Sequence, residues 1–155
     1  MATWGEFAAA APDMAELGLR QLQKFGLAYL GTVRADGSPR VNPVCPFIGD
    51  GRLFVATAPS SPKRLDLVRD GRYVLHFLPG KEEEEISIRG RAALIEGPEM
   101  RALALEGARE MIQATGLRIK PEEWLFEYDI DSAMMTTWAD FGTPNHRPVR
   151  TSWRA

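Results

Sequence analysis

The residues best suited to chemistry in this sequence lie in one short segment that combines hydroxyl groups with cations. The apolar run Leu53–Thr57 predicts a strand, and a helix start follows it, because Ser61 is a common N-cap residue and Pro62 suits the first helical position. Lys63 and Arg64 then fall in the first turn, where each positive charge costs about 0.3–1 kcal/mol. Hydroxyls, free backbone N–H groups and two cations at one helix start indicate a site for a phosphate-like anion. Two solvated basic residues on an ordinary surface helix are the alternative interpretation.

A second unusual segment is the strand-like run Arg40–Val44. Pro43 interrupts its hydrogen-bonding ladder, which leaves neighbouring carbonyl and N–H groups free to bond a planar ligand with a polar edge. We expect this strand to lie beside the one that ends at Thr57, so that Arg40 faces the same anion as Ser61, Lys63 and Arg64. An exposed arginine at the end of a strand is the alternative interpretation.

Other chemistries lack their motifs, since the sequence contains no GxGxxG, GxxxxGK[ST], GxSxG or HExxH. The only histidines are His76, in an apolar strand, and His146, near the C-terminus. The only cysteine, Cys45, is expected to be a small buried apolar residue, so we predict no metal site. The acidic run Glu82–Glu85 lacks the spacing of a calcium loop and is expected to be solvated. No residue is assigned a catalytic role.

Composition restricts the class of protein. The chain has 155 residues, of which 45% are hydrophobic and 26% charged, as expected for a single globular domain covering residues 1–155. A net charge of −2 argues against a nucleic-acid partner. No apolar run approaches the about 20 residues that cross a membrane, and the N-terminus lacks a secretion signal. We therefore predict a cytoplasmic protein without a membrane partner.

Hydrophobic periodicity predicts about three helices and six or seven antiparallel strands, in a barrel or sandwich. Residues 1–11 are expected to form a loose N-terminal arm, and residues 142–155 an irregular C-terminal tail. Asp36-Gly37 predicts a tight hairpin, Gly90 predicts a β-bulge, and the two prolines of the second strand predict an edge position. The predicted helices are Pro12–Lys24, Pro62–Asp70 and Pro98–Thr115, and the predicted strands are Leu27–Arg34, Arg40–Ile48, Leu53–Thr57, Tyr73–Leu78, Ile86–Ile95, Trp124–Ile130 and Met134–Trp138.

In order and spacing these segments resemble the pyridoxamine 5′-phosphate oxidase-like family of FMN-binding split β-barrels. The resemblance covers about Leu27–Ile95 and is weaker at Trp124–Trp138. The segments that carry it are Ala28–Val33, Asp36–Val44, Leu53–Thr57, Ser61–Leu67 and Ile86–Ala92. It implies a mainly β fold with some α, an antiparallel split β-barrel of six or seven strands with about three helices. It also implies a homodimer with the cofactor at the subunit interface. The cofactor-binding residues that it implies are Arg40, Val41, Asn42, Pro43, Val44, Ala56, Thr57, Ser61, Lys63 and Arg64.

The resemblance implies a flavoprotein that binds FMN and passes hydride or electrons between a nicotinamide donor and a small-molecule acceptor. Three positions depart from the family: Pro62 replaces a basic residue, the glutamine that reaches the flavin from the partner is replaced near Glu85, and Asn145–Pro148 does not reproduce the substrate-binding Arg and His. We therefore expect a generic flavin-dependent oxidoreductase rather than an oxidase of pyridoxamine phosphate. The alternatives on this fold are an F420 (deazaflavin)-dependent reductase, a haem-binding relative and a flavin-binding sensor without turnover.

Overall fold

The computed structural model describes residues 1–155, which form five helices and eight strands. The helices are α1 (Trp4–Ala10), α2 (Pro12–Phe25), α3 (Lys63–Arg69), α4 (Pro98–Gly107) and α5 (Arg109–Thr115). The strands are β1 (Ala28–Val33), β2 (Pro39–Val44), β3 (Pro46–Gly49), β4 (Arg52–Thr57), β5 (Arg72–Phe77), β6 (Glu85–Leu94), β7 (Trp124–Ala139) and β8 (Arg147–Arg154). None of the helices combines the length and apolarity that crossing a membrane requires.

All eight strands belong to one antiparallel sheet that curls upon itself. Its order is β2-β1-β5-β6-β7-β4-β3, and β8 pairs with the second half of β7. The edge strands β2 and β3 are separated in sequence by Cys45 alone, so the sheet must bend until its two edges approach each other. This arrangement confirms the predicted mainly β split barrel and the edge position predicted from Pro43 and Pro46. It has more strands and helices than predicted.

The ladder between β6 and β7 is the longest in the barrel wall. β7 was predicted as two strands, but it is continuous and pairs with β6 along one edge and with β4 and then β8 along the other. The register shifts between Arg89 and Gly90, which confirms the predicted bulge. A Cβ atom at Gly90 would lie 1.9 Å from the backbone oxygen of Asp129, so only glycine fits at this crossing.

The barrel encloses a core of aliphatic and aromatic side chains, to which α1 and α2 contribute. Leu75, Ile88 and Phe126 have no exposed surface, and Leu17 and Leu22 of α2 pack with them. Burying a side chain of this size contributes about 1.5–3 kcal/mol. The periodicity that predicted α2 therefore reflects a helix face that closes the barrel.

The N-terminal residues are ordered, so the predicted loose arm over residues 1–11 is wrong. A capping box begins α1: the Thr3 hydroxyl accepts from the Glu6 backbone, and the Glu6 carboxylate accepts from the Thr3 backbone at 2.8 Å. Trp4 and Phe7 are buried and pack edge to face with ring centroids 5.6 Å apart. Two aromatics in an alanine-rich run give no clear period, but their burial fixes α1 on the core.

The predicted irregular tail is also wrong over most of its length, because β8 pairs with residues 132–139 of β7. Its residues are exposed except Trp153, which packs against Phe7, so no alternating pattern reveals the strand. Two other predicted elements are divided in the structure. The helix Pro98–Thr115 breaks at Ala108, and the strand Arg40–Ile48 breaks at Cys45.

Candidate functional site

A cleft of about 320 Å³ opens between the end of β2 and the end of β4. Its lining comes from residues 43–45, from residues 56–58 with Lys63, and from residues 117–119 with Glu123. The expectation that the second strand lies beside the one ending at Thr57 is confirmed for its second half, since β3 pairs with β4, and is wrong for its first half, since β2 pairs with β1. The two strand ends face each other across the cleft instead. A volume of this order is typical of small-molecule sites.

Lys63 is the cation of the β4 side of the cleft. Its side chain is half-buried, and Nζ donates to the Ser61 hydroxyl at 2.9 Å without forming an ion pair. Burial lowers the pKa of Lys63, and the positive charge of Arg40 lowers it further. A desolvated ammonium that lies near a second cation and has only a neutral partner is well suited to bind an anion.

Ser61 does not cap α3, contrary to the prediction. The helix begins at Lys63, Pro62 occupies the N-cap position, and no side chain caps the first turn. The Ser61 hydroxyl instead accepts the hydrogen bond from Lys63. A proline at the cap leaves the hydroxyl free to orient the lysine.

Arg40 lies outside the lining of the cleft, in a separate hollow that it shares with Asp66 and Arg69, and it is held there by a buried carboxylate. Its Nε donates to Asp66 Oδ2 at 2.7 Å, and Asp66 also accepts from Thr32 Oγ1 at 3.0 Å and pairs with Arg69 at 3.4 Å. Burial raises the pKa of Asp66, but the hydrogen bonds from Arg40 and Thr32 outweigh this effect and hold the pKa below its ordinary value. The carboxylate is therefore charged at neutral pH and anchors Arg40 close to Lys63.

Arg64 does not join this group. Its guanidinium carbon lies 4.4 Å from the centroid of the Trp124 ring, and its Nε donates to the Pro59 carbonyl. Successive residues of a helix point in different directions, so two adjacent cations do not share one side of α3. The structure thus gives Arg64 and Lys63 different partners, and their binding of one anion stays a prediction.

The ten predicted cofactor-binding residues divide into those on the cleft and those outside its lining. On the cleft lie Pro43, Val44, Ala56, Thr57 and Lys63. Outside its lining lie Ser61, which contacts Lys63, Arg40, which pairs with Asp66, Arg64, which stacks on Trp124, and Val41 and Asn42 on β2. Val41 points outward and is 63% exposed, because side chains of a strand alternate. Cofactor binding by these ten residues stays a prediction.

The connection between α5 and β7 forms a wall that the sequence did not reveal. Leu117, Arg118, Ile119 and Glu123 line the cleft from this side. Arg101 of α4 fixes the connection, since its guanidinium donates to the carbonyls of Glu123 at 2.7 Å and Lys120 at 2.9 Å. The sequence did indicate where α5 ends, because Gly116 adopts the left-handed conformation with φ 67° that terminates the helix. It did not indicate that the residues after Gly116 pack along the cleft.

The cleft combines apolar walls with the cations Lys63 and Arg118 and one carboxylate, Glu123. Burial raises the pKa of the Cys45 thiol, and the nearby charge of Glu123 raises it further, so Cys45 is protonated near neutral pH. No three His, Cys, Asp or Glu side chains come together as a metal site. The arrangement can bind and orient an anionic, partly apolar molecule, and it leaves the reaction chemistry to that molecule.

Comparisons with known proteins bear on the family and on the fold. The family described as "Pyridoxamine 5'-phosphate oxidase" matches residues 17–128. No curated protein matches the chain significantly. Similar solved structures include an FMN-binding protein related to pyridoxamine 5'-phosphate oxidase from Nostoc punctiforme, with a TM-score of 0.62, 14% identity and coverage of 96% of each chain. A NimC/NimA family protein from Clostridium acetobutylicum has a TM-score of 0.58 and 20% identity, covering 88% of this chain and 91% of that one.

A heme-binding protein from Mycobacterium smegmatis is also similar, with a TM-score of 0.60 and 16% identity. The match covers 87% of this chain but only 57% of that protein. At these identities the structural matches establish the fold alone.

Proposed function

Because the chain belongs to the pyridoxamine 5'-phosphate oxidase family, we propose that its cleft binds FMN and that the protein is a flavin-dependent oxidoreductase. It would pass hydride or electrons between a nicotinamide donor and a small-molecule acceptor. Such a donor implies a cytoplasmic enzyme. The observation that carries the proposal is Lys63 on the cleft, a half-buried ammonium that forms no ion pair and whose pKa is lowered by burial and by the nearby charge of Arg40 in the adjoining hollow.

The cation pair fits the phosphate of FMN. Lys63 Nζ has a single neutral partner, and within the chain Arg40 donates only through Nε, so donors on both side chains remain free. Hydrogen bonds from charged donors to a phosphate are among the strongest in proteins. Ser61, which already contacts Lys63, adds a hydroxyl on the same side.

The remaining walls fit a flat ring system. Residues 43–45 lie where β2 passes into β3, and Pro43 has no N–H, so the backbone there is not committed to a continuous ladder. Residues 56–58 and the connection at residues 117–119 supply apolar surface opposite. The bound flavin supplies the redox chemistry, while the protein binds it, orients it and excludes water.

We propose that the protein acts as a homodimer through the outer face of β1 and β2. Tyr29 and Val41 are 48% and 63% exposed on this face, and Tyr29 lies directly across from Pro43 in the ladder. Exposed apolar groups on a sheet face are typical of an interaction surface. Pro43 also lines the cleft, so a second copy on this face would reach its rim.

The test begins with the absorption spectrum and the mass of any molecule that copurifies with the protein. We expect a flavin spectrum, or, for colourless protein, saturable quenching of FMN fluorescence on titration. Parallel titrations with F420 and haem identify the alternatives. Protein that binds none of the three refutes the proposal. Bleaching of bound flavin by NADH or NADPH supports an enzyme, whereas bound flavin that neither donor reduces supports a sensor.

A further inference from the structure

The buried carboxylate of Asp66 is the centre of a polar cluster that lines a separate hollow with Arg40 and Arg69. Asp66 is 4% exposed, and its two oxygens receive hydrogen bonds from three side chains on three elements of the fold. Thr32 comes from β1, Arg40 from β2 and Arg69 from α3 itself. A carboxylate buried to this degree is costly unless it is fully paired, so these contacts fix its position tightly.

Arg40 contacts Asp66 through its Nε alone. Asp66 Oδ2 binds Nε of the guanidinium at 2.7 Å, and the terminal nitrogens of Arg40 donate to no other group of the protein. The Arg40 side chain is 21% exposed, so its anchored part is buried while part of it remains accessible. A guanidinium held by Nε can still offer terminal N–H groups to a phosphate, because its donors form a rigid planar fork.

We propose that Asp66 is a positioning residue, which holds Arg40 by its Nε edge so that the free edge of the guanidinium binds the phosphate of the cofactor. This inference rests on the proposed function. Thr32 acts on Arg40 indirectly, because its hydroxyl donates to the same Asp66 oxygen that accepts from Arg40. Asp66 does not touch the phosphate and acts only through Arg40.

A purely electrostatic role for Asp66 makes the opposite prediction. If the carboxylate only reduced the positive charge of the cluster, its removal would strengthen anion binding, because Lys63, Arg40 and Arg69 would remain without it. If it positions Arg40, its removal weakens binding, because the guanidinium loses its fixed orientation. The sign of the change therefore separates the two roles.

The experiment compares FMN with riboflavin, which lacks the phosphate. In Asp66→Leu, which removes both acceptor oxygens at similar size, we expect FMN affinity to fall about tenfold and riboflavin affinity to stay within about twofold of the wild type, both by fluorescence titration. In the Arg40→Ala background the same substitution should have no further effect on FMN affinity. Unchanged or tighter FMN binding in Asp66→Leu would overturn the proposal, and so would an undiminished loss in the Arg40→Ala background.

Two further variants keep the test decisive. Asp70→Leu, which removes a partly exposed aspartate paired with Arg72 just after the same helix, is the matched control and should leave both affinities unchanged. If Asp66→Leu does not fold, Thr32→Val removes one hydrogen bond to the carboxylate at nearly constant shape, and it should weaken FMN about two- to threefold without changing riboflavin. Equal losses of both ligands in Thr32→Val would then overturn the proposal. Wild-type protein that binds neither flavin refutes the proposed function instead.

Discussion

Substituting Lys63 by methionine should weaken cofactor binding and, at the same time, stabilise the free protein. Methionine has a similar length and keeps the apolar part of the side chain, but it removes the ammonium group. Lys63 has no carboxylate partner, and its hydrogen bond to Ser61 is the only one that its Nζ donates. The free protein therefore loses little when the charge is removed, whereas a bound phosphate loses one of its donors.

The magnitude of the binding loss follows from the number of contacts. A hydrogen bond from a charged donor contributes about 1.5–3 kcal/mol, and each 1.4 kcal/mol corresponds to about a tenfold change in Kd. We therefore expect Lys63→Met to weaken FMN binding about 10- to 150-fold and to leave riboflavin binding within about twofold. Lys81→Met, at an exposed lysine that forms no ion pair, is the matched control and should change neither affinity.

The stability effect has the opposite sign. Burial first, and the charge of Arg40 second, lower the pKa of Lys63 in the folded protein below the 10.5 of an unfolded lysine. The unfolded chain thus holds this proton more tightly, so the free wild-type protein gains stability as the pH rises through the folded pKa. The Lys63→Met variant does not gain stability as the pH rises. At neutral pH, however, it no longer has to bury a charged ammonium near Arg40, so its Tm should be about 1–3 °C higher than that of the wild type.

The assay combines thermal unfolding of the flavin-free protein at pH 7 and pH 10 with titrations of both flavins. A lower Tm in Lys63→Met would contradict the argument that burial and Arg40 disfavour the charge. An unchanged FMN affinity would show that the phosphate does not contact Lys63. Each result refutes a different step of the reasoning, so neither can be attributed to the other.

Three other substitutions test the architecture around the site. Gly90→Ala places a Cβ 1.9 Å from the Asp129 carbonyl and should lower the free energy of unfolding in urea by about 2–4 kcal/mol; a loss under about 0.5 kcal/mol would contradict the close crossing. Thr3→Ala removes the capping box with Glu6 and should cost about 1 kcal/mol in the same measurement, whereas no change would mean that α1 is not capped as described. Val41→Arg, on the exposed face of β2, should convert the proposed dimer to a monomer by light scattering without lowering the Tm of the monomer; a dimer of unchanged affinity would place the interface elsewhere.

Several features were predictable because they depend on local chemistry. Asp36-Gly37 predicted a hairpin and β1 and β2 pair around it, since Gly37 readily adopts the φ of 82° that the turn needs. Pro43 predicted an edge strand because it cannot donate to a ladder, and β2 is an edge. Gly90 predicted a bulge because glycine within a strand commonly marks a bulge or a close approach of another backbone. In each case the residue type itself indicates which backbone geometry is possible.

Other features depended on contacts that no local pattern contains. Trp4 and Phe7 fix α1 because they are buried beneath other parts of the chain, and β8 is a strand because β7 extends far enough to pair with it. The partners of Arg64 and Arg40 could not be predicted from the sequence either. Arg64 stacks on Trp124, which lies 60 residues away in sequence, and Arg40 of β2 pairs with Asp66 of α3.

The sequence by itself determined a succession of antiparallel strands and a pair of cations after the strand that ends at Thr57, and its resemblance to a known family identified the barrel as a split one. Strand patterns, prolines and glycines act over a few residues, and their order is visible in one dimension. Only the tertiary structure decided which partners the cations have, because these depend on side-chain direction and on long-range contacts. It placed the Arg64 guanidinium over Trp124, the Lys63 ammonium against Ser61, and a charged, buried Asp66 against Arg40.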